Sequence, residues 1–312
     1  MATLRKRISA AICASIVSLV PASLAHAADA APTDVPIQSP PETTAAAPAP
    51  DKSGYNLFNP TPDDQMRPFT PERPTLALVP FTVDAGHFQY ESDLFNYTHT
   101  NYLGAGTISY LTADPTIKLG LTNSIDFEVE FNGYLNSATH SNLTGALIGN
   151  GHGFGDTFVK TKFNIFGNDG GSCALAIIPL VKIPSAAPGL GNGVAEGGIV
   201  APLQINLPQD YTLILQTEID ALKNADGDRR HANFANLADL SHPLPFISKD
   251  LSLSVEFFSS VGTDSGIQPV YTFDMGLAYL ILPNVQLDAG ANFGLTKASP
   301  NVNVYTGISA RF

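Results

Sequence analysis

The sequence predicts an all-β fold, a transmembrane antiparallel up-and-down β-barrel of about twelve strands, preceded by a disordered Pro/Ala-rich segment. Three observations carry that expectation. From residue 85 onward apolar and polar residues alternate with period two, which turns one face of each strand toward apolar and the other toward polar surroundings. Only 14% of the 312 residues are charged while 44% are hydrophobic, whereas an ordinary soluble domain carries about 25% charged residues. No run of 18 apolar residues follows residue 27, so the apolar content cannot be gathered in a membrane-crossing helix. Strands that place every second side chain in lipid satisfy all three.

Residues 1–27 combine Arg5, Lys6 and Arg7, an apolar stretch from Ile8 to Leu24, and the small-x-small triplet Ala25-His26-Ala27. That is the pattern of a cleaved secretory signal peptide. Residues 28–74 hold 11 of the 24 prolines amid Ala, Thr and Asp, a composition too poor in apolar surface to offset the entropy of ordering. The expected reading is a disordered linker, with residues 75–312 forming the barrel.

Within the barrel, Ile125, Phe127, Val129 and Phe131 interleave with Asp126, Glu128 and Glu130. Val159, Thr161, Phe163 and Ile165 alternate with Lys160, Lys162 and Asn164, and Leu251, Leu253, Val255 and Phe257 with Ser252, Ser254 and Glu256. The same alternation runs through Tyr271–Tyr279, Val285–Leu295 and Val304–Phe312. Twelve such segments are expected, at about 86–97, 108–121, 125–136, 155–166, 173–184, 195–206, 211–222, 232–241, 249–260, 269–281, 285–296 and 302–312. Alternate joints are tight, as at Thr122-Asn123-Ser124 and Leu282-Pro283-Asn284, while Ser137–Phe154, Ser185–Val194 and Lys223–His231 are long and rich in Gly, Asn and Asp. Short turns at one rim and long loops at the other are the topology of an outer-membrane barrel. Aromatic residues fall at both strand ends: Phe163, Tyr211 and Tyr279 toward the short turns, Phe131, Phe257, Tyr271 and Phe293 toward the loops.

The chain ends on Tyr305-x-Gly307-x-x-Ala310-x-Phe312. This resembles the terminal signal read by the barrel assembly machinery, with Tyr305, Gly307 and Phe312 as its matching residues; Ala310 stands where a larger apolar residue is commoner. Beyond that signal, the opening Pro68–Gln89, then Gly153-Phe154-Gly155-Asp156, Phe166–Gly171, Gly189–Gly193 and Thr272–Leu295 resemble in order the phenol-degradation meta-pathway transporter family of outer-membrane proteins. The resemblance spans about residues 68–312 and implies a barrel that passes small, often aromatic or hydrophobic, compounds across the cell outer membrane. It supplies no binding residues to carry over.

Strand parity points the polar face inward. The expected lumen-lining residues are Glu128, Glu130, Lys160, Lys162, Lys182, Glu218, Asp274, Asp288 and Arg311, with Glu128 and Glu130 neighbouring Lys160 and Lys162 across strands. Thirteen inward carboxylates against five inward bases would give the pore a field favouring cations or neutral solutes. An excess of 28 acidic over 16 basic residues argues against nucleic acid as a partner. The expected partners are outer-membrane lipid, the assembly machinery and a small-molecule solute.

Catalysis would need a nucleophile, a base and an orienting group. His140 and Ser141, His152 near Asp156, and His231 near Ser241 are the raw material, and none stands in a recognisable arrangement, so no enzyme is expected. Gly149-x-Gly151-x-Gly153 lacks the βαβ context of a dinucleotide site, and Asp226-Gly227-Asp228 resembles only a fragment of a calcium loop. Neither a cofactor nor a metal site is expected. The function that fits is a passive channel; the alternative is a structural or surface-interaction barrel with a blocked lumen.

Overall fold

The computed structural model describes residues 51–224 and 227–312. The expected signal peptide, residues 28–50 of the expected linker, and Asp226 lie outside the described residues. Fifteen strands follow one short 3-10 turn at Asp63–Gln65: β1 (Phe88–Tyr102), β2 (Ala105–Thr112), β3 (Asp114–Thr122), β4 (Ile125–Phe131), β5 (Tyr134–Ser141), β6 (Leu147–Phe154), β7 (Thr157–Phe166), β8 (Cys173–Ile183), β9 (Glu196–Asn206), β10 (Thr212–Lys223), β11 (Arg230–Pro243), β12 (Leu251–Gly262), β13 (Val270–Leu282), β14 (Val285–Gly294) and β15 (Val302–Arg311). Twelve of them close into an antiparallel barrel in the order β1-β3-β4-β7 and then β8 through β15, with β15 pairing back onto β1 from Gln89 opposite Arg311 to His99 opposite Val302. Closure leaves the barrel no edge on which backbone donors would face lipid.

The other three strands extend the wall beyond one rim. The second half of β1 pairs with β2, β2 with β5, and β5 with β6. These are continuations of β3, β4 and β7 past breaks at Ala113, at Asn132-Gly133 and at Gly155-Asp156. Ala113 has a left-handed φ of 54°, and a Cβ on Gly133 would collide with the Ala113 carbonyl. The expected long loop Ser137–Phe154 is therefore corrected: most of it is the end of β5 and all of β6. Glycine at every second position hid the strand, and packing explains the glycines, since side chains on Gly151 and Gly153 would run into Leu190 and Ala187 of the β8–β9 loop. The loop-rim connection between β1 and β2 is likewise not long but a two-residue turn, Leu103-Gly104, with both φ values positive (50° and 81°), as a tight hairpin requires.

Burial is inverted relative to a water-soluble fold. Lys118, Lys162, Asp126 and Glu128 are at most 1% exposed, while Ile199, Ile219, Val181 and Phe257 are 47–53% exposed. Soluble proteins almost never bury Lys, Glu or Asp without a partner and do not turn a continuous apolar belt to water. The aromatic residues expected at the two rims, including Phe131, Phe163, Tyr211, Tyr279 and Phe293, face outward at 38–44% exposure. Period-two alternation has thus put lipid outside and charge inside.

Candidate functional site

Residues 51–87 are where structure and expectation differ most. Residues 51–74, expected as linker, do not hang free: together with the following residues to 87 they cross the short-turn rim and pass into the barrel. Asn56 bridges to Thr122, and the Thr61 N–H donates to the Ala85 carbonyl at 2.9 Å, so the chain doubles back at the rim. From Arg67 to Val83 it runs through the lumen.

An extended segment without a sheet neighbour has backbone N–H groups that must find acceptors once buried. The inward side chains of the wall supply them. Glu91 Oε2 accepts from the N–H of Glu72 and Arg73 (3.0 and 3.1 Å), and Glu256 accepts from those of Leu76 and Ala77 (3.2 and 2.9 Å). Gln216, Asn168 and Asp126 accept from Leu78, Thr82 and Val83 at 2.7, 3.1 and 2.9 Å. Much of the polar inward face is therefore engaged by this segment and does not face an open pore.

Charge and apolar contact add to those bonds. Glu72 sits between Lys118 (2.6 Å) and Lys162 (2.5 Å), and Lys118 also pairs with Glu91 at 2.6 Å. Arg73 grips Asp288 through Nε and Nη2 at 3.1 and 2.8 Å, reaches Asp93 as well, and lies over the Tyr305 ring. Ala77 and Val79 pack on Ile214 and Leu237, and Leu78 on Ala176, Ile178 and Val200. Burying aliphatic side chains contributes roughly 1.5–3 kcal/mol each. Gly120 lets the segment pass, because a Cβ there would strike the Asp84 carbonyl.

Burial by itself would raise the Glu72 pKa, but Lys118 and Lys162 outweigh it and hold the carboxyl well below the ordinary carboxylate range. A depressed folded-state pKa means that this anchor is fully present above the ordinary value of about 4.3 and is lost only as pH falls through the lower folded value. Protection of the segment from protease in the folded protein should accordingly persist at pH 4. Cleavage near residue 72 already at pH 5 would contradict the anchor.

The segment separates a turn-side cavity from a loop-side cavity that share no lining residue, and a third cavity of about 300 Å³ borders Leu76, Thr98 and Thr272. The turn-side cavity of about 530 Å³ lies against the β7–β8 turn, and the loop-side cavity of about 490 Å³ lies beyond Glu72 and Arg73. Of the residues expected to line the lumen, Glu130, Lys160, Lys182 and Glu218 border the loop-side cavity, and Lys162 and Arg311 the turn-side one. Glu128 is fully buried against Lys162 (3.1 Å), and Lys160 pairs with Glu130 at 2.5 Å, the cross-strand partners that parity implied. Asp288 is taken by Arg73, and Asp274 accepts from Thr272 Oγ1 at 2.9 Å. The loop-side lining keeps an acidic excess, seven carboxylates to three cations, whereas the turn-side lining reverses it with five cations to three carboxylates. The charge balance of the lining thus differs between the two cavities.

The expected assembly-signal residues also meet the segment. The Tyr305 hydroxyl donates to the Pro74 carbonyl at 2.6 Å, and a side chain on Gly307 would overlap the Arg73 guanidinium. Phe312 closes the rim by backbone pairing with Phe88 while its ring is 73% exposed. Among the residues weighed for catalysis, Asp156 is engaged by Lys182 and the Ala186 N–H, and His231 bonds Asn224 at 3.0 Å.

What sequence reasoning missed was the role of residues 75–85. The signal was there: Leu76-Ala77-Leu78-Val79-Pro80-Phe81-Thr82-Val83 is an apolar run outside every predicted strand. Inward positions Ile178, Val200, Ile214 and Leu237 break the polar-in rule along one arc of the wall, where an internal apolar partner must sit.

A closed antiparallel sheet with an apolar, aromatic-edged outer belt and a charged interior defines a transmembrane β-barrel of the outer-membrane kind. The family model described as "Putative MetA-pathway of phenol degradation" matches residues 71–312, and the chain belongs to that family. Its barrel is similar to that of an outer membrane channel from Pseudomonas putida F1, at 12% identity and a TM-score of 0.59 over 76% of this chain and 97% of that one. More loosely similar are the KdgM porin in complex with disordered oligogalacturonate (10% identity, 72% and 99% covered, TM-score 0.42) and an anion-selective porin from Comamonas acidovorans (10%, 72% and 98%, TM-score 0.36). No curated protein sequence matches the chain.

Proposed function

We propose that this protein is a passive channel of the outer membrane for small molecules, with the N-terminal segment as its internal barrier. The observation that carries the reading is that cavities lie on both the turn side and the loop side of a single extended stretch from Glu72 to Phe81. A barrel serving only as a scaffold has no need of such cavities. Passage requires that stretch to move aside, and its anchors are side-chain contacts that can part while the closed sheet stays intact. Membership of the family and the likeness to an outer membrane channel support the same reading.

The alternative of a blocked, surface-acting barrel draws on the same occluding segment and is separable by experiment. Liposomes containing the refolded protein should take up small uncharged solutes faster than protein-free liposomes. Absence of uptake both from the full chain and from a form lacking the segment would favour the blocked barrel.

A further inference from the structure

The turn-side cavity has a composition that passive filtration does not require. Its walls include the apolar side chains Met66, Val79 and Phe81, and it is bordered by Lys52, Arg67 and Arg311. These three cations share two carboxylates. Asp84 takes Lys52 at 3.8 Å, Arg67 at 3.1 Å and Arg311 at 3.5 Å, and Asp169 takes Lys52 and Arg67 at 3.3 Å each. Asp64 and Asp126 also line the cavity, but neither forms an ion pair with these three cations.

A second observation points the same way. Nε of Arg67 and Nε of Arg311 are both buried with no hydrogen-bond acceptor, on side chains only 8% exposed. A buried donor left unmatched, above all on a charged group, is costly. A carboxylate beside the two guanidiniums would supply the missing acceptors. At about 530 Å³ the cavity falls in the range of small-molecule sites, roughly 300–1,000 Å³. The Asn168-Asp169-Gly170 turn at its mouth places it at the rim that faces the periplasm in barrels of this type.

We propose that this cavity is a binding site for a small amphipathic organic anion, an apolar body ending in one carboxylate, held on the periplasmic side of the segment. Arg67, Arg311 and Lys52 receive the carboxylate, and Met66, Val79 and Phe81 receive the body. Inorganic anions match the charge but not the walls, and uncharged analogues match the walls but not the charge. The site exists in the occluded barrel, so the proposal goes beyond conduction and does not depend on it.

Equilibrium dialysis of radiolabelled phenylacetate against the full chain in detergent, with empty micelles subtracted, tests it. The expected result is saturable one-to-one binding, with 2-phenylacetamide and inorganic phosphate each competing at least about tenfold less well. Arg311→Gln should weaken binding by a similar factor. Because Arg311 lies in the last strand, Lys52→Gln, upstream of the first strand, provides a second variant whose barrel closes as in the parent. Equal competition by the amide, equal competition by phosphate, or no saturable binding would each overturn the site. A protein that binds phenylacetate but passes no solute would refute the channel reading and leave this one standing.

Discussion

Deletion of residues 51–81 should raise the single-channel conductance of the reconstituted barrel by about tenfold or more, because a twelve-stranded barrel cleared of internal chain encloses a continuous aqueous lumen. The deletion removes Glu72, Arg73 and the apolar stretch that together separate the two cavities. It leaves every barrel strand whole, since the first begins at Phe88. The wall is not unaffected: Glu91, Glu256 and Asp288 lose the donors that satisfy them and gain water instead, so the freed lumen should favour cations at its loop-side end. Planar-bilayer recording at neutral pH measures both the size of the step and its reversal potential in a salt gradient. A step no larger than that of the full chain would mean that the segment is not the barrier.

The second large effect is on stability. Lys162→Met should lower the unfolding midpoint in urea steeply, since removing one partner of a buried ion pair costs about 3–5 kcal/mol. Lys162 is 1% exposed and serves Glu72 and Glu128 together, at 2.5 and 3.1 Å, and Glu128 is itself fully buried. Without the ammonium the Glu128 carboxylate would lose its ion-pair partner and face Asp126, also fully buried, with only Lys118 and Lys160 on the neighbouring strands to offset the two charges. Adding Glu128→Gln should restore part of the loss by removing one of the two adjacent buried carboxylates, whereas Glu128→Gln alone should cost less than Lys162→Met. Loss of the gel-mobility difference between folded and unfolded barrel follows unfolding in each variant. Equal midpoints for parent and Lys162→Met would contradict the ion-pair account.

The barrel could be read from the sequence because its physics is repetitive. Alternation in segments such as Ile125–Phe131 or Val285–Leu295 records lipid on one face and polar lumen on the other, and twelve such records agree with one another. In the structure Glu128, Lys162, Asp274 and Arg311 are buried on the inner side of the wall, and a slip of one residue would put charge into lipid. The extension strands were not legible. In β6 the alternate positions are glycines whose missing side chains make room for Ala187 and Leu190, and a side chain that is absent leaves no periodic trace.

The internal segment escaped for a different reason. Residues 51–74, with five prolines, have the composition of a chain that cannot build its own core, and with the residues that follow them they do not build one: the segment borrows acceptors from Glu91, Glu256, Gln216 and Asp126 and an apolar wall from Ile178, Val200, Ile214 and Leu237. Composition reports what a segment can bury by itself. What it can bury against a partner 100 or more residues away appears only where the partner's pattern is also out of place, as those four inward aliphatic residues are.

If solute moves along the lumen past the segment, fixing the segment in place must stop it. Cysteines placed at Leu78 and Gln216, whose backbone N–H and side-chain oxygen lie 2.7 Å apart, allow a short thiol cross-linker to fix the segment to β10. Uptake of a small uncharged solute into liposomes is then compared before and after cross-linking, with the parent protein treated in parallel. Cross-linking should bring uptake down to that of protein-free liposomes and leave the parent unchanged; uptake that is the same with the segment fixed as with it free would show that solute does not pass by displacing the segment.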